Sequence, residues 1–452
     1  MGVNEAFKYL IDAASMMNNY KAVISQNYFN SSVVLCYPSV PVNKEVNIKV
    51  DFTLDDIIAT AALTGSPIAI IGSSGSGKSY LSDIMAHSLF GGDFGEKTIN
   101  PNVSQMDFVD PAYRKMLEAE SKEEYIKPDP LLKKPCIILN ELNRTPSILQ
   151  NFFLAMLEKK VNLYGVNFDV GLKNNNDFYC FIMATLNEGA QYSGVSDVDL
   201  ALRNRFSVEL FIDNYDYNSN GDLTGDLIKM LSTKPNRNLI NSQRGYLDTI
   251  TNIFKSLDSI SLDVDSYLFL EYLNWINKCV KSNTESKRSI PPAQLVKLCN
   301  GCEYAKDHND FCRNFYKPSK RAFSSIISFA RAITFMKEVK VIDYCAKNNI
   351  SVDFSNRVPV VTLDDMLIAA PFVLAGKTEM NPKWVGDHYQ GNKIYACQDI
   401  CNFIKSEIIE SNEISGLIKS EDNASKARVA AFKKKRLGND ILNFLEEFLE
   451  DE

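Results

Sequence analysis

Histidine is nearly missing from this chain, at three residues in 452. Neither His87 nor His388 has a visible constellation around it, so no Ser/His/Asp or Cys/His hydrolytic device has a candidate. No apolar run is long enough to cross a membrane, and Met1 to Asn19 lacks the basic start and apolar core of a secretion signal. The expected location is therefore the cytosol, without a membrane partner. An excess of basic residues is missing too: the net charge is −7, which argues against broad nucleic-acid binding, although a local basic lining would not show in that total. Ten cysteines would pair only in an oxidising compartment, so most are expected as thiols, with metal ligation the exception to check. What remains is ordinary globular composition, 45% hydrophobic and 23% charged, in a chain long enough for two or three domains.

The informative stretch is Gly72-Ser73-Ser74-Gly75-Ser76-Gly77-Lys78-Ser79. It follows the β-branched run Pro67 to Ile71 and precedes Tyr80 to Met85, which reads as the first turns of a helix. Strand, glycine-rich loop and helix together are what a phosphate-binding loop needs. The glycines let successive N–H groups converge on phosphate oxygens, Lys78 brings a cation to the outer phosphates, and the Ser79 hydroxyl can ligate Mg²⁺. Gly72, Ser73, Gly75, Ser76, Gly77, Lys78, Ser79 and Tyr80 are the candidate nucleotide contacts.

Two further apolar runs end in polar residues. Cys136 to Leu139 runs into Asn140 and Glu141, where a P-loop enzyme places one group near Mg²⁺ and a carboxylate near the attacking water. The helix expected over Ser147 to Lys159 keeps an apolar face at Leu149, Phe152, Phe153, Met156 and Leu157. A strand over Phe178 to Leu186 ends at Asn187, and another is expected at Val208 to Ile212. In a parallel sheet ligands sit beyond the carboxyl ends of the strands, so Lys78, Glu141 and Asn187 could face one nucleotide. Around this core, helices are expected at Ala6 to Met17 and over Asp51 to Thr64, the latter capped by Thr53. Residues 91–134 read as an excursion of loop and helix.

The assembled pattern resembles the AAA+ ATPases, and within them the MoxR group, over roughly residues 50 to 375. Asn140-Glu141-Leu142-Asn143-Arg144-Thr145-Pro146 is similar to the family's Walker B strand end, Ala184 to Asn187 to its first sensor, and Ala201 to Phe206 to the segment holding its arginine finger. Lys317 to Ala322 resembles the second-sensor motif, and Val361 to Leu374 the closing lid helix. The resemblance implies a P-loop AAA+ α/β core with a parallel sheet flanked by helices, then a mainly helical lid: core 51–212, lid 213–380, with an amino-terminal segment before and a tail over 381–452. It also implies ATP and Mg²⁺ as cofactors and a homo-oligomeric ring, usually hexameric. Glu141 would be the base and Asn187 the polarising sensor. Arg205 is the first choice for a finger acting in trans, Arg203 the second, and Arg321 would reach the same phosphate from the lid. The family's Walker B Asp is Asn140 here, an amide that can accept from a Mg²⁺-bound water but supplies no negative charge.

Cys299, Cys302, His308 and Cys312 form the one cluster with metal-ligand spacing, a candidate Zn²⁺ site set against plain thiols. Asp216 to Asp222 begins like a calcium loop but has Leu227 where the bidentate glutamate belongs, so a polar turn is expected. The leading functional expectation is a chaperone-like ring ATPase that remodels or matures a partner protein, by analogy one carrying a von Willebrand A domain. A nucleic-acid motor of restriction type and a non-hydrolysing nucleotide-dependent scaffold are the alternatives. Glu188 to Tyr192 does not resemble the motif that marks the former.

Overall fold

A computed structural model describes residues 5–26, 33–42, 46–110, 113–174, 177–187, 200–214, 245–276, 297, 299–300, 302, 311–316, 318–351, 359–418, 420, 422–435 and 438–450. Two compact units divide the chain: Met1–Ser259 with Phe335–Val358, and Ile260–Thr334 with Pro359–Glu452.

The first unit is built on five strands in the order β11-β3-β10-β5-β4, every adjacent pair parallel. These are β3 (Ile68–Gly72), β4 (Gly95–Thr98), β5 (Cys136–Asn140), β10 (Phe181–Asn187) and β11 (Val208–Phe211). The central strands are apolar almost throughout because helices cover both faces, as buried parallel strands require. Helix α3 (Lys78–Phe90) packs on β3, β5 and β10. Against Ile137, Leu139, Ile182 and Ala184 lies α4 (Ser147–Leu157), whose Leu149, Phe152, Phe153, Met156 and Leu157 are all buried, as its apolar spacing predicts. Phe108 joins them, its ring 4.8 Å from that of Phe152.

Two expectations need correction. Residues 91–134 are not wholly an excursion, since Gly95–Thr98 pairs with β5 as the edge strand of the sheet. The run Phe178 to Leu186 is not one strand either. Asp177–Tyr179 (β9) closes a hairpin with Leu172–Asn174 (β8), and only from Phe181 does the chain enter the sheet. A second hairpin joins β6 (Lys160–Leu163) to β7 (Val166–Asp169), turning at Tyr164 and Gly165 with φ of 51° and 93°.

The amino-terminal residues belong to this unit. Helix α1 (Leu10–Gln26) runs beyond its expected end and contacts α2 (Leu54–Thr64) and α3; β1 (Val33–Pro41) pairs antiparallel with β2 (Asn47–Thr53). Thr53 caps α2 as expected, donating its N–H to Asp56 at 2.9 Å. Asp56 is fully buried and also receives the Tyr20 hydroxyl at 2.6 Å, the Lys340 ammonium at 2.6 Å and that of Lys21 at 3.2 Å. Burial alone would raise its pKa, but the Lys340 and Lys21 charges outweigh it and hold the carboxyl well below the usual range. Asp56 thereby ties α1 and residue 340 to the helix that leads into β3.

Helices make up most of the second unit. Asp263 caps α6 (Val264–Trp275), and Ser266 on it donates to Val361, in the two-residue parallel ladder β12 (Ser261–Leu262) with β13 (Val360–Val361). The closing helix expected after Val361 is present as α8 (Leu363–Lys377), packed on α10 (Lys393–Ser415). The tail helix Gly438–Glu450 belongs here too, with Phe444 edge-on to Trp275. Lys320–Asn348, labelled α7, is one continuous helix that leaves this unit after Thr334 and enters the first. Among the described residues no helix is long and apolar enough to cross a membrane.

Candidate nucleotide-binding site

The loop between β3 and α3 has the form its residues demand. Gly75 and Gly77 sit at φ of 83° and 85°, a region L side chains avoid, and Gly77 is the residue from which α3 starts. A Cβ on Gly72 would stand 2.9 Å from both Asp213 Oδ1 and Ile212 Cγ1, so the close approach of the neighbouring strand end requires glycine there. Lys78 is the first residue of α3, with Ser79 exposed and Tyr80 half-buried after it. The Lys78 ammonium lies inside the loop, 2.9 Å from Gly72 O, 2.5 Å from Ser73 O and 3.3 Å from Ser76 Oγ. Burial lowers its pKa, and the Asp213 and Glu141 carboxylates push the other way.

Asn187 pairs in register with Gly72, while Ala184 pairs with Leu139, so the ends of β3, β10 and β5 share one edge. Side chains lock the last two ends together. Thr185 donates its hydroxyl to Asn140 Oδ1 at 3.2 Å and accepts the Glu141 N–H at 3.0 Å. Asn143 donates to Asn187 O at 2.8 Å and accepts from Asn187 N at 3.4 Å. Asn140 is buried and donates its amide to Glu96 Oε1 at 2.5 Å. Glu141 itself stands at φ 57°, left-handed backbone in a non-glycine residue, with its carboxylate 2.9 Å from Arg144 Nε, off the hydrogen-bond line.

The donor set fits magnesium and a triphosphate. Successive amides of a glycine loop with an ammonium inside it suit phosphate, and the Ser79 hydroxyl, Asn140 amide oxygen and carboxylates beside them suit a hard, oxygen-seeking cation.

Residues 67–206 match the AAA domain, dynein-related subfamily. This region is an AAA+ core. The match ends just ahead of β11, which the structure adds to the same sheet. A solved structure of a presumed ATPase from Cytophaga hutchinsonii ATCC 33406 is similar in fold, with a TM-score of 0.52, covering 87% of this chain and 96% of that one. At 15% identity the likeness concerns the fold alone. No curated protein matches the chain.

The arginines lie apart from the loop edge. Arg203 and Arg205 precede the start of β11, where Ser207 N bonds Pro67 O at the amino end of β3. That is the opposite edge of the AAA+ sheet, ~15 Å from Gly72 at the usual rise per residue. Arg203 makes a two-pronged pair with Glu209, at 2.8 and 3.0 Å, and that glutamate is wholly buried. Arg205 Nε lies 2.6 Å from the carboxylate of Glu158, which is 42% exposed. Arg321 is in the first turn of α7, in the second unit.

The zinc expectation finds no support. Among the described residues no three His, Cys, Asp or Glu side chains come together as a metal site, and His308 lies outside those residues, as does the calcium-like run 216–222. The nine described cysteines are thiols. Sequence reasoning missed Glu96, Thr185 and Asp213. Asp213 is the second residue beyond β11 and accepts the loop's Ser73 N–H at 2.6 Å. The strand-end rule that picked out Glu141 and Asn187 also points to it.

Proposed function

We propose that the chain is a ring-forming ATPase of AAA+ type that couples binding and hydrolysis of ATP to remodelling of a partner protein. The observation that carries this reading is the convergence of Lys78, Glu141 and Asn187 at one sheet edge while Arg205 stands at the other. An arginine at that distance cannot serve the loop of its own chain. It suits a neighbour's site in a homo-oligomeric ring, and six subunits of MoxR kind is the arrangement we favour. Arg203 is occupied by Glu209, which leaves Arg205 the better finger. Magnesium-bound ATP supplies the phosphoryl group and part of the charge neutralisation. Within one chain, the loop amides and Lys78 hold phosphate, Glu141 orients a water and takes its proton at a carboxylate oxygen, and Asn187 polarises that water. Arg205 of the adjoining copy, and Arg321 from the lid helix, would meet the charge developing on the transferred group. A protein carrying a von Willebrand A domain is the partner class we propose.

Steady-state ATP and GTP hydrolysis by the purified protein, with light scattering alongside, tests this. Glu141→Gln is expected to keep nucleotide binding and assembly but lose ~10² or more of turnover, as removal of a positioned base does. A wild-type ring that binds ATP and turns nothing over would favour the second reading, a nucleotide-locked scaffold, which Asn140 in place of a carboxylate motivates.

A further inference from the structure

We propose that Glu96, on the adjacent edge strand, supplies the negative charge that Asn140 lacks, so that the metal-facing group of this site is a Glu96–Asn140 pair. The inference rests on the reading of the loop as a Mg²⁺–nucleotide site.

Register gives the first argument. Thr98 pairs with Asn140 and Glu96 with Ile138, so residues 96, 98, 138 and 140 share one face of the sheet. The Asn140 amide is oriented from both sides. Its oxygen accepts from Thr185 Oγ1 at 3.2 Å, and its nitrogen donates to Glu96 Oε1 at 2.5 Å. A charge-assisted bond of that length places a full negative charge one side chain away from position 140.

The exchange of aspartate for asparagine at position 140 points the same way. An aspartate at 140 would bring a second carboxylate oxygen against Glu96 with no proton between them, and like charges that close cannot both stay ionised at neutral pH. Asparagine removes that conflict by presenting an N–H to the same oxygen. What looks in the sequence like the loss of an acid is, in the structure, an acid moved to the next strand. Asn140 is buried while Glu96 is exposed, so the carboxylate can hydrogen-bond waters of a metal's hydration shell, as an outer ligand does.

The test titrates a fluorescent non-hydrolysable ATP analogue into the full-length protein, once with Mg²⁺ and once with a chelator, and reads the ratio of the two affinities. For Glu96→Gln the Mg²⁺-dependent gain is expected to fall about tenfold or more, the range for loss of an outer-sphere carboxylate, while binding in chelator stays at the wild-type value. The double variant Glu96→Gln with Asn140→Asp, which returns the charge to position 140, is expected to recover most of the gain. An unchanged Mg²⁺ dependence in Glu96→Gln overturns the inference. So does equal weakening with and without metal, which makes Glu96 a structural partner of Asn140 and nothing more. Failure of the wild type to bind the analogue in either condition overturns the nucleotide reading itself, an outcome distinct from both.

Discussion

The two edges of the parallel sheet are made from similar residue types used in opposite ways. At the carboxyl edge the backbone turns through left-handed angles at Gly75, Gly77 and Glu141, strained only at the last, and polar groups gather at the strand ends. At the amino edge the arginines are already matched, Arg203 by a buried carboxylate and Arg205 by one at the surface. A charge locked to a buried partner holds the fold, and a charge with a solvated partner can be lent elsewhere. The difference in exposure between Glu209 and Glu158 therefore separates an arginine held in the fold from the one we propose as the finger.

Exchanging the two arginines for alanine one at a time should sharpen this contrast most. Arg205→Ala is expected to cost ~10³ in turnover, the lower end of what a finger contributes, with under about 1 kcal/mol lost in urea unfolding because its partner is solvated. Arg203→Ala leaves Glu209 buried without its counter-charge and should cost about 3 kcal/mol of stability. Equal stability losses in the two would erase the distinction. At the other edge, Lys78→Ala should weaken nucleotide binding ~10²-fold, the scale of a charged hydrogen bond, without moving the unfolding midpoint. A calorimetric titration decides it.

Acid unfolding probes a charge of the holding kind inside the same unit. The Asp56 carboxyl is depressed in the folded chain, so its contribution is fully present above the ordinary carboxylate value of about 4 and is lost as pH falls through the lower folded value. Asp56→Asn should flatten the stability curve over that window; the wild-type slope persisting in the variant would assign it to other carboxyls.

How much of this was legible in the sequence depends on whether a feature is local. The loop, β5 and the buried face of α4 follow from patterns within a dozen residues, and the structure has them where the patterns put them. Edge strand β4 reads Gly-Glu-Lys-Thr, with no apolar residue to mark it, because one side of an edge strand has no neighbour and its four residues alternate toward solvent. Only register against β5 reveals the strand, and with it the contact of Glu96 with Asn140. Phe178 to Phe181 is continuous and aromatic, so nothing in composition marks the break at Cys180 where the chain passes from hairpin to sheet. The Tyr164-Gly165 turn did carry a signal, a glycine between two short alternating runs. Among the arginines, composition offered no ranking beyond family resemblance, and the unequal burial of their partners is visible only in the structure.

Glu141 carries one more consequence. Its left-handed backbone costs of order 1 kcal/mol in a residue with a Cβ, whereas glycine would adopt it freely. Selection for robustness alone would place glycine or asparagine there. A variant such as Glu141→Gly should therefore melt no lower than the parent, or higher, while doing no work. On the proposed role of Glu141, the chain keeps at that one position a residue that is thermodynamically worse because its carboxylate is needed, and a screen for thermal hardiness would discard the group proposed to act on water.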